Sequence, residues 1–183
     1  MKGSLMRYLL ITFLCVVAGG VYFYNTNWFH ASFMGDRFHR DIFSAPFDAT
    51  KIGATIAIPI KYNYKTCYGL TIAVPDSKLA HRGFDGDGIW EYRFMSGNKT
   101  LAEGLTAQPS KRHRSLYRGV SYITLLVFDL PFPGAGSDLT LELTVKEPME
   151  FLRPFAGQID CRIRPDYSAK AGKCYNDALK IVY

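Results

Sequence analysis

The chain has 183 residues and a formal net charge of +6. Lys2 and Arg7 are the only charged side chains among the first 29 residues, so the remaining 154 or so carry 20 basic and 16 acidic residues, a net +4. That length builds one domain with a real core. A charge this mild, with no basic helix and no RNA-binding aromatic signature, excludes nucleic acid as the expected partner.

The first element is Tyr8 to Tyr24, YLLITFLCVVAGGVYFY, an uncharged run preceded by Lys2 and Arg7. As a helix it spans roughly 25 Å, at the short end of what crosses a bilayer. Tyr8, Tyr22, Tyr24 and Trp28 flank it as interfacial aromatics do, and the basic residues before it keep the N-terminus cytoplasmic. Residues 1–29 therefore read as a single-pass anchor that sends Phe29 and the rest of the chain across the membrane. The competing reading is a cleaved signal peptide, because Val16-Val17-Ala18 and Ala18-Gly19-Gly20 offer small residues to a peptidase. Residues 30–43 follow as a juxtamembrane linker or short helix. Phe33, Met34, Phe38 and Ile42 recur at roughly helical spacing, with Ser32 as a candidate cap.

From Ser44 to Tyr183 the pattern is that of a β domain. Short apolar or alternating runs are separated by Gly, Pro, Asp and Asn. The predicted strands are Ala54 to Lys61, Tyr68 to Val74, Ile89 to Met95, Gly119 to Leu130, Leu139 to Lys146, Gln158 to Arg164 and Asp177 to Tyr183. Leu139, Leu141, Leu143 and Val145 alternate with polar residues, the mark of a half-buried strand. Pro59 sends its run to an edge or a bulge, because it cannot donate to a ladder. The continuous apolar run Ile123 to Leu130 suits a central strand. Seven to eight strands with little helix predict an antiparallel β-sandwich.

The chemistry-bearing residues are sparse. G-x-S-x-G, phosphate-loop and H-E-x-x-H motifs are absent. His30, His39, His81 and His113 are scattered, and no close cysteine pair suggests zinc, so neither metal nor cofactor is expected. Asp85-Gly86-Asp87-Gly88 reads as a plain turn. Nothing in the sequence activates Cys67 as a nucleophile. Cys67, Cys161 and Cys174 would face an oxidising compartment, and three leaves one over. A Cys161–Cys174 disulfide, 13 positions apart across a turn-prone segment, is the expected pairing. Ile159, Cys161 and Ile163 share one face, which keeps Cys67–Cys161 open as the alternative.

One stretch stands out for binding. Gln108 to Arg118, QPSKRHRSLYR, lies between two predicted strands and so reads as a loop. Lys111, Arg112, Arg114, Tyr117 and Arg118 are the candidate partner-binding residues. Arg and Tyr combine large contact area with directed hydrogen bonds, and Arg pairs bidentately with carboxylates.

Finally, Ser44-Ala45-Pro46-Phe47-Asp48-Ala49-Thr50-Lys51-Ile52-Gly53, with Tyr68-Gly69-Leu70-Thr71-Ile72 after it, resembles a family of small exported bacterial β-sandwich domains. Its members open with P-F/I-D-L-S-x-x-G and then an aromatic-rich strand; here Ala49-Thr50 replace Leu-Ser, and Leu70 and Ile72 replace aromatics. Members are lipoproteins or membrane-anchored, and several look like immunity proteins encoded beside toxins of contact-dependent (type VI) secretion systems. The resemblance implies a non-enzymatic, membrane-anchored protein whose partner is a cognate secreted toxin. The alternative expectation is an envelope carbohydrate- or lipid-binding module. A hydrolase lacks its residues.

Overall fold

The structure, a computed structural model, describes residues 2–81, 88–106, 114–130, 138–175 and 178–182. The apolar run lies within helix α1 (Lys2–Tyr24), 23 residues long. Its segment Met6–Tyr24 is long and apolar enough to cross a membrane, and none of it is buried in the protein. At 1.5 Å per residue it spans roughly 28 Å. A signal sequence has the same features.

The segment after α1 folds into two short helices, α2 (Asn27–Phe33) and α3 (Gly35–Phe38). The cap of α2 is Thr26 rather than Ser32: its hydroxyl accepts from the Phe29 N–H at 3.2 Å. Ser32 lies in the last turn, where no N–H remains to be capped. This segment is docked on the body. Phe38 is completely buried, with its ring 5.0 Å from Tyr64 and 6.0 Å from Tyr167. The Asn27 side-chain amide donates to the Lys65 carbonyl at 2.9 Å.

The body is the expected β-sandwich. Its strands among the described residues are β1 (Phe43–Pro46), β2 (Thr55–Pro59), β3 (Cys67–Val74), β4 (Ile89–Ser96), β5 (Lys99–Leu105), β6 (Arg114–Tyr117), β7 (Val120–Asp129), β8 (Leu139–Glu147), β9 (Asp160–Pro165) and β10 (Leu179–Lys180). One sheet runs β1-β9-β3-β7-β10, with β6 also paired to β7; the other runs β2-β8-β4-β5. Every pairing is antiparallel except the short parallel one between β10 and β7. The core between the sheets holds Tyr68, Leu70 and Ile72 from β3 and Ile123, Leu125 and Phe128 from β7, facing Trp90 and Phe94 from β4 and the alternating leucines of β8. Phe94 and Phe128 meet across the layers at 4.9 Å, edge to face.

The seven predicted strands are present with shifted ends. Pro59 ends an edge strand, and β7 is central. β1, β5 and β6 are additional. β1 hides behind Pro46, and the sequence of β5, KTLAEGL, is made largely of helix formers that pairing with β4 overrides. Arg114 to Tyr117 is a strand rather than a loop, because its backbone pairs with β7 from Arg114↔Ile123 to Tyr117↔Val120.

The Ser44–Gly53 stretch has a structural role in this chain. It pairs as β1 with β9, buries Phe47 against Trp90 at 5.0 Å, and then turns. Asp48 Oδ1 accepts from the Thr50 N–H (3.0 Å) and hydroxyl (2.7 Å), which holds the Asp48 carboxyl below the usual carboxylate range. Gly53, at φ +74°, donates its N–H to Val145 O at 2.9 Å.

The disulfide joins Cys67 to Cys174, with Cα atoms 5.7 Å apart, and this corrects the Cys161–Cys174 expectation. The reason is the face of the sheet. Cys161 points into the core beside Ile163 and is fully buried as a free thiol. Cys67 begins β3 on the opposite face, where the C-terminal segment crosses, with the Asp166 N–H donating to its carbonyl at 2.9 Å. Bonded, Cys67 is no nucleophile.

Candidate functional site

Strand direction gives the sandwich two poles. β2, β4, β7 and β9 end, and β3 and β8 begin, at the pole where α2 docks; the turn between β6 and β7 lies at the other. β7 has ten residues, so the poles are roughly 30 Å apart at ~3.3 Å per residue.

At the distal pole, β6 and β7 form a two-residue hairpin turning at Arg118 and Gly119. Both have positive φ, +49° and +81°, as the tight turn that matches strand twist requires. Asn or Gly is the relaxed choice there, so Arg118 holds a left-handed backbone at some cost. Its guanidinium sits 5.1 Å over the Tyr117 ring. Tyr117 is 54% and Leu116 43% exposed, an apolar pair at the tip with a cation beside it. The structure therefore brings Tyr117 and Arg118 together, with Arg114 at the far end of the same strand. Lys111 and Arg112 lie outside the described residues, as do Asp85, Gly86 and Asp87 of the predicted turn.

The hairpin borders a groove of about 320 Å³ on the outer face of the β3/β7/β9 sheet, reaching from Ser115 and Tyr117 to His39 and Arg164. Of the outward residues of β3, Gly69, Thr71 and Ala73, all small, Thr71 lines it, and the flanking strands contribute the longer side chains of Tyr122 and Arg164. Arg162 and Arg164 lie over the Tyr122 ring at 5.8 and 5.2 Å. Arg162 donates to Asp160 at 2.7 Å and to Asp41 at 3.3 Å, and Asp41 also lies 3.8 Å from Arg164. Partial burial pulls the Arg162 pKa down, but the Asp160 hydrogen bond and the Asp41 and Asp160 charges outweigh it and hold the pKa above its ordinary value. Arg162 and Arg164 were not among the residues expected to bind. Their alternation with Cys161 and Ile163 is the signal that marks them, but nothing local announces Asp41 as their partner. Among the described residues, no group of three or more His, Cys, Asp or Glu side chains gathers to hold a metal.

No protein-family model matches the chain, and no curated protein matches it. Solved structures that resemble it include a protein from Sulfurospirillum deleyianum, at TM-score 0.48 and 12% identity, covering 69% of this chain and 98% of that one. Another is the C-terminal CBM6 of LamC, a marine laminarinase from Zobellia galactanivorans, at TM-score 0.31 and 12% identity over 69% of this chain and 89% of that one. Likeness of this degree adds no ligand or activity to the geometry.

Proposed function

We propose that this is an inner-membrane-anchored periplasmic binding protein that neutralises a secreted antibacterial toxin by direct contact, as an immunity protein does. The observation that carries this reading is the exposed Leu116, Tyr117 and Arg118 at the pole opposite the anchor. A tethered domain meets soluble proteins at its distal end, and Tyr and Arg anchor protein interfaces. An Arg held in a left-handed turn, where Asn or Gly would relax, fits selection for contact rather than stability. The anchor itself is read from α1 and the preceding Lys2 and Arg7. The groove beside the hairpin favours the second reading, an envelope carbohydrate-binding module, since it joins hydroxyls and aromatic rings.

The test is direct binding between the purified full chain and the product of a secreted-toxin gene adjoining its own, with protection of toxin-expressing cells as the functional readout. Tyr117→Ala with Arg118→Glu weakens the complex about 30-fold or more, as loss of a central anchor does, with thermal stability unchanged. Binding to envelope glycans but to no toxin moves the assignment to the second reading.

A further inference from the structure

The opposite pole carries its own surface. Where α1 passes into α2, a cleft of about 1190 Å³ opens against the base of the sandwich. Aromatic rings line it, Tyr22, Phe23 and Trp28 from the helices and Tyr64 and Tyr167 from the body, together with Lys65 and Lys173. A second cavity of about 280 Å³ shares the wall formed by Asn63 and Tyr64 and adds Arg37, Arg40 and Lys61. These five basic side chains are exposed, and none forms an ion pair among the described residues. Asp36 on α3 and Asp129 on the cleft wall offset part of the charge, while Asp41 is occupied by Arg162 and Arg164.

Position identifies the occupant. The cleft begins at Tyr22, inside the last turn of α1, so in a chain still carrying that helix it lies at the bilayer surface. Aromatic rings with an apolar body and a polar tip sit at headgroup depth, and lysines just outside the hydrocarbon attract anionic headgroups. The docking of Asn27 on Lys65 and of Phe38 between Tyr64 and Tyr167 holds the basic side chains against the same surface as the helix end.

We infer that the base of the sandwich is a binding surface for anionic phospholipid headgroups in the leaflet from which α1 emerges, with Lys61, Lys65 and Lys173 as its principal contacts. This rests on α1 remaining attached, not on the identity of any toxin. Headgroup contact at the base turns the hairpin away from the membrane.

Trp28 provides the test, since Trp90, the other tryptophan, is completely buried in the core. The full chain is reconstituted in nanodiscs of phosphatidylcholine and phosphatidylglycerol, with bromine on the acyl chains of one lipid or the other. Trp28 fluorescence is quenched more strongly when the brominated lipid is phosphatidylglycerol. In the triple variant Lys61→Glu, Lys65→Glu, Lys173→Glu the two quench equally. The neutral triple Gln variant gives an intermediate ratio and guards against misfolding of the charge-reversed chain. Equal quenching in the unsubstituted chain overturns the assignment while leaving the anchor intact. A mature mass lacking α1 removes the anchor and this surface together.

Discussion

Cys174 is bonded to Cys67 across 107 positions, which ties the C-terminal segment to the first residue of a central strand. In the chain-entropy account a loop of this order is worth ~4.7 kcal/mol. Reduction, or Cys174→Ser, is expected to lower the melting temperature sharply, whereas Cys161→Ala leaves the bridge in place. Non-reducing peptide mapping should yield a Cys67–Cys174 peptide in both the parent and Cys161→Ala chains.

Cys161 has the opposite character. Burial pushes its thiol up to about 12, with the neighbouring Asp160 charge adding to the shift. The thiol should resist alkylation in the folded chain and react once denaturant opens the core. Because the folded pKa lies above the unfolded value, the group's contribution to stability is complete below about 9 and is lost as pH rises toward 12. Alkaline melts of the parent chain should fall across that window more steeply than those of Cys161→Ala.

Asp48 works at the acid end. The Thr50 hydroxyl and N–H stabilise its carboxylate, so its folded pKa lies below the unfolded one. The stability this supplies is present above the unfolded carboxylate range and disappears as pH falls through the folded value. Asp48→Ala should therefore destabilise the chain at neutral pH and flatten its acid unfolding curve. Equal acid slopes for the two chains would contradict the Asp48–Thr50 turn.

Phe38 tests whether α2 and α3 belong to the body. Truncating a fully buried phenylalanine costs about 3–5 kcal/mol. Phe38→Ala should lower the melting temperature and speed amide exchange through residues 27–39. A melting temperature that does not move would mean that α2 and α3 ride on α1 alone.

Arg118 separates stability from contact. Replacing it with Gly relieves a left-handed arginine and should stabilise the fold by about 1 kcal/mol in backbone terms. The same change removes the cation over Tyr117 and should weaken partner binding. A variant that melts higher and binds worse is the expected pair of outcomes, read by calorimetry and by titration with the toxin partner proposed above.

Short-range pattern is what the sequence by itself determined. The uncharged run specified a bilayer-length helix, the alternation in β8 and β9 assigned their buried faces, and Pro59 marked an edge, because each depends on residues within a strand or helix of one another. It also determined that Cys161 points inward. Pairings between residues far apart in the chain were left undecided. Cys67 meets Cys174, and Asp41 meets Arg162 and Arg164, only because β3 and β9 lie side by side. Arg114 to Tyr117 is a strand only because β7 offers an open edge, so a basic segment that looks like a loop becomes the arm of a hairpin. The separation of an exposed hairpin at one pole from a basic, aromatic cleft at the other belongs to tertiary structure alone. It depends on the direction in which each strand crosses the sandwich, which composition and periodicity do not encode.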